Sequence, residues 1–264
     1  MNTSAKIHSL KHYILYAYRS KTKYKIHSPF VFDFIRDILE SSNRSFPKLP
    51  SDLRNYYIKY NQKIDIEMNA GEGSLVLNDK PTSTKSLITT IGIPQKYGKI
   101  LYKLTEKYKC RNIIELGTSF GISTSYLAAN KDCKVQSIDA NKQIQDIAKE
   151  AFQKLKTSNT VFISARFDEV LKDLCSQSNE ISLIFIDGDH NKDATIRYFN
   201  TCLPYLHENT IMVFDDIYWS KGMTEAWNHI CNQKEVSLSI DLYRLGILFF
   251  RKEQKQKEHF ILWH

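Results

Sequence analysis

The sequence predicts an α/β protein whose main domain has a doubly wound, mostly parallel, seven-stranded sheet that ends in an antiparallel β-hairpin. After Pro94, short apolar segments alternate with segments of helical apolar spacing, which is typical of a parallel sheet with helices on both faces. Near the C-terminus, residues 236–242 and 245–250 are two strand-like segments separated only by Tyr243 and Arg244. Because that connection is too short for a helical crossover, the two strands must be antiparallel.

An N-terminal helical extension precedes this domain. Apolar residues recur with helical spacing in several segments before Pro94. The predicted helical segments are 10–18, 30–38 and one that begins near Ser51. Residues 69–85 are rich in Gly, Ser, Thr and Asn and are predicted to form a loop. We therefore expect an N-terminal region, residues 1–93, that covers the substrate or forms an oligomer contact, and a main domain, residues 94–264.

The main domain is predicted to contain five strand–helix units before the hairpin. The predicted order is helix 94–107, strand 112–116, helix 123–129, strand 134–138, helix 142–155, strand 160–164, helix 168–174, strand 181–186, helix 192–203, strand 210–214 and helix 219–231. The closing hairpin distinguishes this order from that of a dinucleotide-binding dehydrogenase. The apolar tail, residues 260–263, needs a surface against which to pack.

The composition is that of a globular protein. Of the 264 residues, 42% are hydrophobic and 25% are charged, which excludes a mainly disordered chain. The net charge is +8, from 37 Lys and Arg against 29 Asp and Glu. Residues 1–25 contain six Lys and Arg and no acidic residue, so much of the positive excess lies in this leader. This distribution does not favour a nucleic-acid partner.

Cysteine usage and hydropathy predict a cytoplasmic protein without a membrane partner. The five cysteines are an odd number and contain no CxxC pair, which is typical of reduced thiols. No stretch approaches the roughly 20 apolar residues that a membrane span needs.

Polar residues follow the first two strands of the main domain. The first strand continues as Glu115-Leu-Gly117-Thr-Ser119-Phe-Gly121-Ile-Ser123, and the second ends at Asp139. Open α/β sheets bind ligands at the carboxyl ends of their strands, and an acidic residue after the second strand can accept hydrogen bonds from ribose hydroxyls. The alternative is an ordinary glycine-containing turn between a strand and a helix.

Four carboxylates follow the fourth and fifth strands. Asp187, Asp189 and His190 come after one strand, and Asp215 and Asp216 after the other. Because these strand ends share one edge of a parallel sheet, the carboxylates should converge. They should then either raise one another's pKa or recruit a cation, and oxygen ligands favour Mg²⁺, Mn²⁺ or Ca²⁺. Alternatively, Asp187 caps the following helix and the Asp pair bonds the backbone. Asp189 and His190 are the candidate general bases.

Taken together, the Glu-Leu-Gly-x-x-x-Gly-x-Ser loop, the acidic end of the second strand and the closing hairpin resemble an S-adenosylmethionine-dependent methyltransferase of the class I, Rossmann-like fold. The spacing is similar to that of the metal-dependent small-molecule O-methyltransferases of the catechol, caffeoyl-CoA and sugar types. The resemblance covers about residues 94–250. Ser119 stands where methyltransferases commonly have a central glycine, and the metal-dependent branch also lacks that glycine.

The resemblance implies a role for each matching residue. The residues expected around the methionine part of S-adenosylmethionine are Glu115, Gly117, Ser119, Gly121 and Ser123. Asp139 would hold the ribose, and Phe167 and Asp168 would flank the adenine. The residues that match metal ligands are Asp187, Asp215 and Asp216, so the resemblance implies a divalent cation such as Mg²⁺.

The expected activity is O-methylation of a small-molecule hydroxyl. Residues 187–190 contain no proline and lack the Asn/Asp-Pro-Pro-aromatic motif of base N-methylating enzymes, so a nucleic-acid base is not the expected acceptor. Two alternatives stay open: a metal-independent methyltransferase with another acceptor, including RNA ribose, and a non-catalytic protein that binds S-adenosylmethionine. A homodimer through the N-terminal helices is a further expectation.

Overall fold

The computed structural model describes residues 3–41, 46–64, 82–178 and 180–264. The chain divides into two compact units. Residues 1–41 and 171–264 form the first unit, and residues 42–170 form the second unit. Residues 69–81 of the predicted loop lie outside the described residues.

From residue 94 onward the described helices and strands follow the predicted order. Before it, the short strands Lys63–Ile64 and Thr82–Ser83 and the helix Thr84–Thr90 were not predicted, so residues 82–85 of the predicted loop are strand and helix. The helices are α1 (Thr3–Arg19), α2 (Pro29–Phe34, continued by a π-helical turn at Ile35–Leu39), α3 (Leu49–Lys59), α4 (Thr84–Thr90), α5 (Gln95–Lys107), α6 (Ile122–Leu127), α7 (Lys142–Lys154), α8 (Phe167–Gln177), α9 (Lys192–Cys202) and α10 (Lys221–Cys231). The strands are β1 (Lys63–Ile64), β2 (Thr82–Ser83), β3 (Asn112–Leu116), β4 (Lys134–Asp139), β5 (Thr160–Ser164), β6 (Leu183–Ile186), β7 (Ile211–Phe214), β8 (Leu238–Asp241), β9 (Gly246–Phe249) and β10 (Glu258–Ile261).

In the second unit, β3, β4 and β5 are neighbouring parallel strands. Their apolar residues, such as Ile113, Leu116 and Ile138, are buried. Asp139 at the end of β4 pairs with Ser164 at the end of β5. Because the strands are parallel, the turn after β3 and the carboxylate of Asp139 lie at the same edge of the sheet. Helix α3 packs against α4, α6 and α7.

In the first unit, the strands are adjacent in the order β10-β8-β9-β7-β6. Strands β6 and β7 are parallel, and β9 pairs antiparallel with both β7 and β8. The predicted closing hairpin is therefore confirmed. Its turn is held by a hydrogen bond from the Leu242 amide to the Leu245 carbonyl (2.9 Å).

From β3 onward the described residues form eight strands, three in the second unit and five in the first, one more than the sequence predicts. The additional strand is β10, which pairs parallel with β8 at the edge of the first unit. The charged segment Arg251–Lys257 that precedes it contains no hydrophobic alternation, so β10 has no strand signal of its own. The tail also packs as expected at Leu262, which is fully buried.

One face of helix α1 packs against the rest of the first unit. The Tyr16 hydroxyl donates to the Leu262 carbonyl (2.6 Å), and the Ser9 hydroxyl contacts that of Tyr243 (2.7 Å). The opposite face exposes large apolar side chains, namely Ile7, Leu10, Ile14 and Tyr18. No helix in the described ranges has both the length and the apolar character that crossing a membrane requires. A homodimer contact and a substrate cover stay predictions for the N-terminal region.

All five cysteines are free thiols, as the sequence predicts. Four of them are buried, and the sulfur atoms of Cys175 and Cys202 are 3.8 Å apart. The cytoplasmic location inferred from these cysteines stays a prediction.

Candidate functional site

The turn after β3 is shaped by positive backbone angles. Gly117 (φ 105°), Ser119 (φ 46°) and Gly121 (φ 72°) all have left-handed conformations. A Cβ atom on Gly121 would lie 2.9 Å from Cε2 of Phe152, so a larger residue there is both strained and crowded. The amide of Gly117 donates to the carbonyl of Ile138 (2.9 Å), which ties the turn to β4.

Asp139 is fixed at the end of β4 by two backbone amides. Its Oδ2 accepts a hydrogen bond from the Ser119 amide (2.7 Å), and its Oδ1 accepts one from the Asn141 amide (2.8 Å). The residue is half-buried, so the carboxylate keeps access to solvent. A carboxylate oxygen has more than one acceptor position. Asp139 therefore orders the turn and can still accept hydrogen bonds from a ligand.

Glu115 is buried within the second unit, with 0% of its surface exposed. Its Oε2 accepts hydrogen bonds from the hydroxyls of Thr124 (2.6 Å) and Ser137 (2.6 Å). Its Oε1 has no hydrogen-bond partner in the described part of the chain. Burial raises the pKa of Glu115 to about 7, although the hydrogen bonds from Ser137, Thr124 and Ser123 lower it. An unpartnered buried oxygen is costly unless a ligand or water satisfies it.

We expect Glu115→Gln to change the pH dependence of stability. The pKa of Glu115 is about 7 in the folded chain, against an ordinary value of 4.5, so the native state binds this proton more tightly than the unfolded state. The stability that the folded chain gains from protonated Glu115 is therefore complete below about pH 4.5 and is lost as the pH rises toward 7. Between about pH 5 and about pH 8, the free energy of unfolding of Glu115→Gln should rise relative to that of wild type by up to roughly 3 kcal/mol.

Urea unfolding of both proteins at those two pH values measures this gain. The control is Glu253→Gln, since the side chain of Glu253 is 81% exposed and its replacement should give the same stability difference at both pH values. Parallel pH curves for wild type and Glu115→Gln would contradict the assignment of a raised pKa to Glu115.

Other residues support the turn, and the sequence did not single them out. The hydroxyl of the buried Tyr57, on α3, donates to the carbonyl of Phe120 within the turn (2.9 Å). The Gln145 amide donates to the Thr118 hydroxyl (3.1 Å) and to the Ile163 carbonyl (3.0 Å). Tyrosine, threonine and glutamine at these positions carry no motif, and their spacing along the chain gives no signal.

The remaining predicted cofactor residues differ in exposure. Ser123 is buried in the first turn of α6, and Phe167 is buried at the start of α8. Asp168 is exposed, also in the first turn of α8. Contact between any of these residues and a cofactor stays a prediction.

The carboxylates predicted after β6 lie in a segment with strained backbone. Asp189 (φ 60°) and His190 (φ 32°) are left-handed, as is Asp216 (φ 52°) after β7. Such conformations in residues other than glycine are costly and concentrate at functional sites. The alternative role of Asp187 as a helix cap does not apply, because Asn191 caps α9 by accepting from the Asp193 (3.0 Å) and Ala194 (3.2 Å) amides.

His190 is the titratable side chain at the centre of this segment. Its Nε2 lies 3.7 Å from Oδ1 of Asp187, and its ring centroid lies 6.1 Å from that of Trp219. Burial lowers the pKa of His190, although the negative charge of Asp215 opposes the shift. Asp189, the other candidate base, accepts a very short hydrogen bond from the Tyr198 hydroxyl. His190 is therefore better placed than Asp189 to accept a proton.

Asp215 and Asp216 are paired with an arginine. Nε of Arg244 lies 2.8 Å from Oδ1 of Asp215, and Nη2 lies 2.6 Å from Oδ2. Nε also lies 3.5 Å from Oδ1 of Asp216. Burial raises the pKa of Asp216 to about 7, an effect that Asp215 strengthens and Arg244 opposes. The pKa of Arg244 is raised because Asp215 and Asp216 outweigh the effect of its burial.

These carboxylates do not fit the divalent cation that the resemblance implies. Both oxygens of Asp215, a side chain that is 0% exposed, are held by Arg244. Within the described ranges, no three His, Cys, Asp or Glu side chains are grouped so that they could hold a metal ion. The sequence did not identify Arg244 as part of this cluster, because it stands in the hairpin turn, far along the chain from the strand ends.

Comparisons with known proteins agree with the predicted fold. Residues 114–217 match a family model described as a methyltransferase domain. A caffeoyl-CoA O-methyltransferase-like protein of Arabidopsis thaliana is 22% identical over 169 residues, which cover 63% of this chain and 69% of that protein.

Two solved structures have a similar fold. One is the S-adenosylhomocysteine-bound methyltransferase PaMTH1 of Podospora anserina, with a TM-score of 0.60 and 14% identity, covering 86% of this chain and 98% of that chain. The other is an O-methyltransferase from Bacillus cereus in complex with S-adenosylhomocysteine, with a TM-score of 0.56 and 16% identity, covering 83% of this chain and 97% of that chain. The predicted α/β fold and the predicted resemblance are confirmed.

Proposed function

We propose that this chain, in which residues 114–217 match a methyltransferase domain, transfers a methyl group from S-adenosylmethionine to the hydroxyl oxygen of a small molecule. The observation that carries the cofactor assignment is the fixed carboxylate of Asp139, which stands at the end of β4 beside the glycine-containing turn. An acidic residue at this place can accept hydrogen bonds from both ribose hydroxyls of an adenosine ligand.

The residues of the second unit fit S-adenosylmethionine. Gly117 has no side chain, so a ligand can approach the backbone of the turn closely at that position, and Gly121 lets the turn pack against Phe152. Glu115 belongs to the proposed cofactor set as a buried acceptor whose Oε1 has no partner in the described part of the chain. When bound, S-adenosylmethionine would supply a sulfonium methyl group: an acceptor oxygen that attacks the methyl carbon in line would displace S-adenosylhomocysteine as the leaving group. Ser119, Ser123, Phe167 and Asp168 complete the proposed cofactor set.

For the acceptor, we assign the proton-accepting role to His190. An acceptor hydroxyl must lose its proton as its oxygen bonds to the methyl carbon, and a neutral imidazole is the usual base for such a transfer. Asp187, 3.7 Å from Nε2, can stabilise the imidazolium that forms. Asp189 then orients the segment through its bond to Tyr198 rather than acting as the base.

Local charge favours a small acceptor over RNA. Asp187, Asp189 and Asp216 are all half-buried, and Arg244 lies 3.5 Å from Asp216. A polyanion would be repelled from a segment in which carboxylates outnumber the basic groups, whereas a neutral phenol or sugar would not. The relative in Arabidopsis thaliana is named as an O-methyltransferase, which is consistent with oxygen as the methyl acceptor. Divalent-cation assistance, which the resemblance implied, is not part of the proposal because Arg244 holds both oxygens of Asp215.

Methyl transfer from radiolabelled S-adenosylmethionine tests the proposal. Candidate acceptors are phenols, catechols, free sugars and phenolic acyl-CoA esters, compared with total RNA. We expect label in one class of small molecule, and mass spectrometry should place the methyl group on oxygen. The matched control is the same acceptor with its hydroxyl already methylated, which should take up no label. Label only in RNA would support the ribose alternative, and cofactor binding without any transfer would support the non-catalytic one.

A further inference from the structure

The turn of the β8–β9 hairpin holds Arg244 rigidly. The amide of Tyr243 donates to Oδ1 of Asp241 (2.7 Å), and the hydroxyl of Tyr218 donates to Oδ2 of the same residue (2.5 Å). The carbonyl of Arg244 accepts from the amide of Ile217 (3.3 Å). These bonds link the hairpin turn to the segment that follows Asp215 and Asp216, so the position of the arginine is set before any ligand binds.

The guanidinium of Arg244 engages Asp215 in a two-point contact. Two parallel N–H···O bonds of 2.8 Å and 2.6 Å match the planar fork of arginine to the carboxylate. Asp215 is fully buried and the side chain of Arg244 is only 24% exposed, so solvent screens this pair poorly. Removing one partner of such a pair leaves an uncompensated buried charge, so the pair is held strongly once formed.

Asp216 is a second carboxylate that lies close to Arg244. Its Oδ1 lies 3.5 Å from Nε of Arg244, so a single guanidinium contacts both carboxylates at the end of β7. These are two of the three residues that match metal ligands. A divalent ion bound to the same oxygens would lie against a fixed positive charge, and like charges at that distance repel strongly.

We propose that Arg244 is the resident cation of this carboxylate cluster and takes the place that a divalent metal has in the resembling enzymes. Arg244 is a positioning residue: it pairs with Asp215, offsets part of the negative charge of the two carboxylates and fixes them for the acceptor segment. Methyl transfer then needs no added metal, and the acceptor is oriented by side chains rather than by chelation. This inference rests on the proposed function, because it assumes that the methyl acceptor binds beside Asp215 and Asp216.

Manganese binding tests the inference without using activity. Mn²⁺ is titrated into the full chain and followed by electron paramagnetic resonance, which reports free and bound ion directly. Wild type should bind no Mn²⁺ at this cluster. Arg244→Gln removes the positive charge and frees the oxygens of Asp215 and Asp216, so this variant should bind one Mn²⁺ at least tenfold more tightly than wild type.

Two further variants make the result specific. Arg251→Gln removes another arginine of the first unit, one that stacks on the ring of Phe30 (4.0 Å), and should bind no more Mn²⁺ than wild type. Arg244→Lys keeps a positive charge and should also bind none, although a lysine cannot make the two-point contact. Circular dichroism confirms that each variant is folded.

Either of two results overturns the proposal. One is tight binding of a single Mn²⁺ by wild type, and the other is a folded Arg244→Gln variant that binds no more than wild type. If Arg244→Gln does not fold, the wild-type titration decides, together with methyl transfer in the presence of a chelator: full activity without Mn²⁺ binding supports the proposal, and loss of activity overturns it. A failure of the proposed function gives a different result. Calorimetry would then show no binding of S-adenosylhomocysteine, whereas the Mn²⁺ titration would be unchanged.

Discussion

Replacing His190 with alanine is expected to lower kcat by roughly 10²- to 10⁴-fold while leaving the affinity for S-adenosylhomocysteine unchanged. His190 lies beside Asp187 and Trp219 in the segment that follows β6, and it is the side chain there best placed to take the acceptor proton. His190 is not one of the proposed cofactor residues, so the affinity for S-adenosylhomocysteine should not depend on this imidazole. Steady-state kinetics with the acceptor found in the transfer assay measures kcat, and calorimetry measures the affinity.

A structural role for His190 predicts a different pattern. Free imidazole should restore part of the activity of His190→Ala if the ring acts as a base, whereas it should restore none if the ring only braces the loop. His207→Ala is the matched control, since His207 is exposed in the same unit and lies outside the cluster. A His190→Ala kcat within threefold of wild type would remove the base assignment.

Replacing Asp139 with alanine is expected to weaken S-adenosylhomocysteine binding by at least tenfold. A hydrogen bond to a charged acceptor contributes about 1.5–3 kcal/mol, and one such bond to the ribose accounts for a tenfold change. The variant also loses the bonds from the Ser119 and Asn141 amides, so the turn that surrounds the cofactor should loosen as well. Isothermal titration calorimetry measures the dissociation constant.

The ribose contact and the turn can be separated with a modified ligand. S-adenosylhomocysteine that lacks the 2′-hydroxyl should bind wild type more weakly than the normal ligand, but it should show little further loss with Asp139→Ala. Asp146→Ala is the control, because Asp146 is exposed on α7 and its ion pair with Lys142 contributes little. Unchanged affinity in Asp139→Ala would remove the assignment of this residue to the cofactor.

Much of the fold could be predicted because its signals are local. The alternation of apolar strands with helical segments after Pro94 predicted β3 to β9 and the helices between them, and the short connection at Tyr243 and Arg244 predicted the hairpin. The edge strand β10 was missed because it follows a charged segment and pairs with a strand that it does not adjoin in sequence. Edge pairing of this kind depends on which neighbour is available, and periodicity does not report it.

In the candidate site, too, some features could be predicted from the sequence and others could not. The sequence alone determined which residues stand at the ends of the strands, among them Asp139, Asp187, Asp215 and Asp216, because strand ends follow directly from hydrophobic patterning. Only the tertiary structure decided what those carboxylates contact. Arg244 reaches Asp215 across 29 positions of sequence, and Glu115 is enclosed by Thr124 and Ser137 from other elements. Charge and burial depend on neighbours brought together by folding, so the acidic residues were predictable and the arginine that pairs with Asp215 was not.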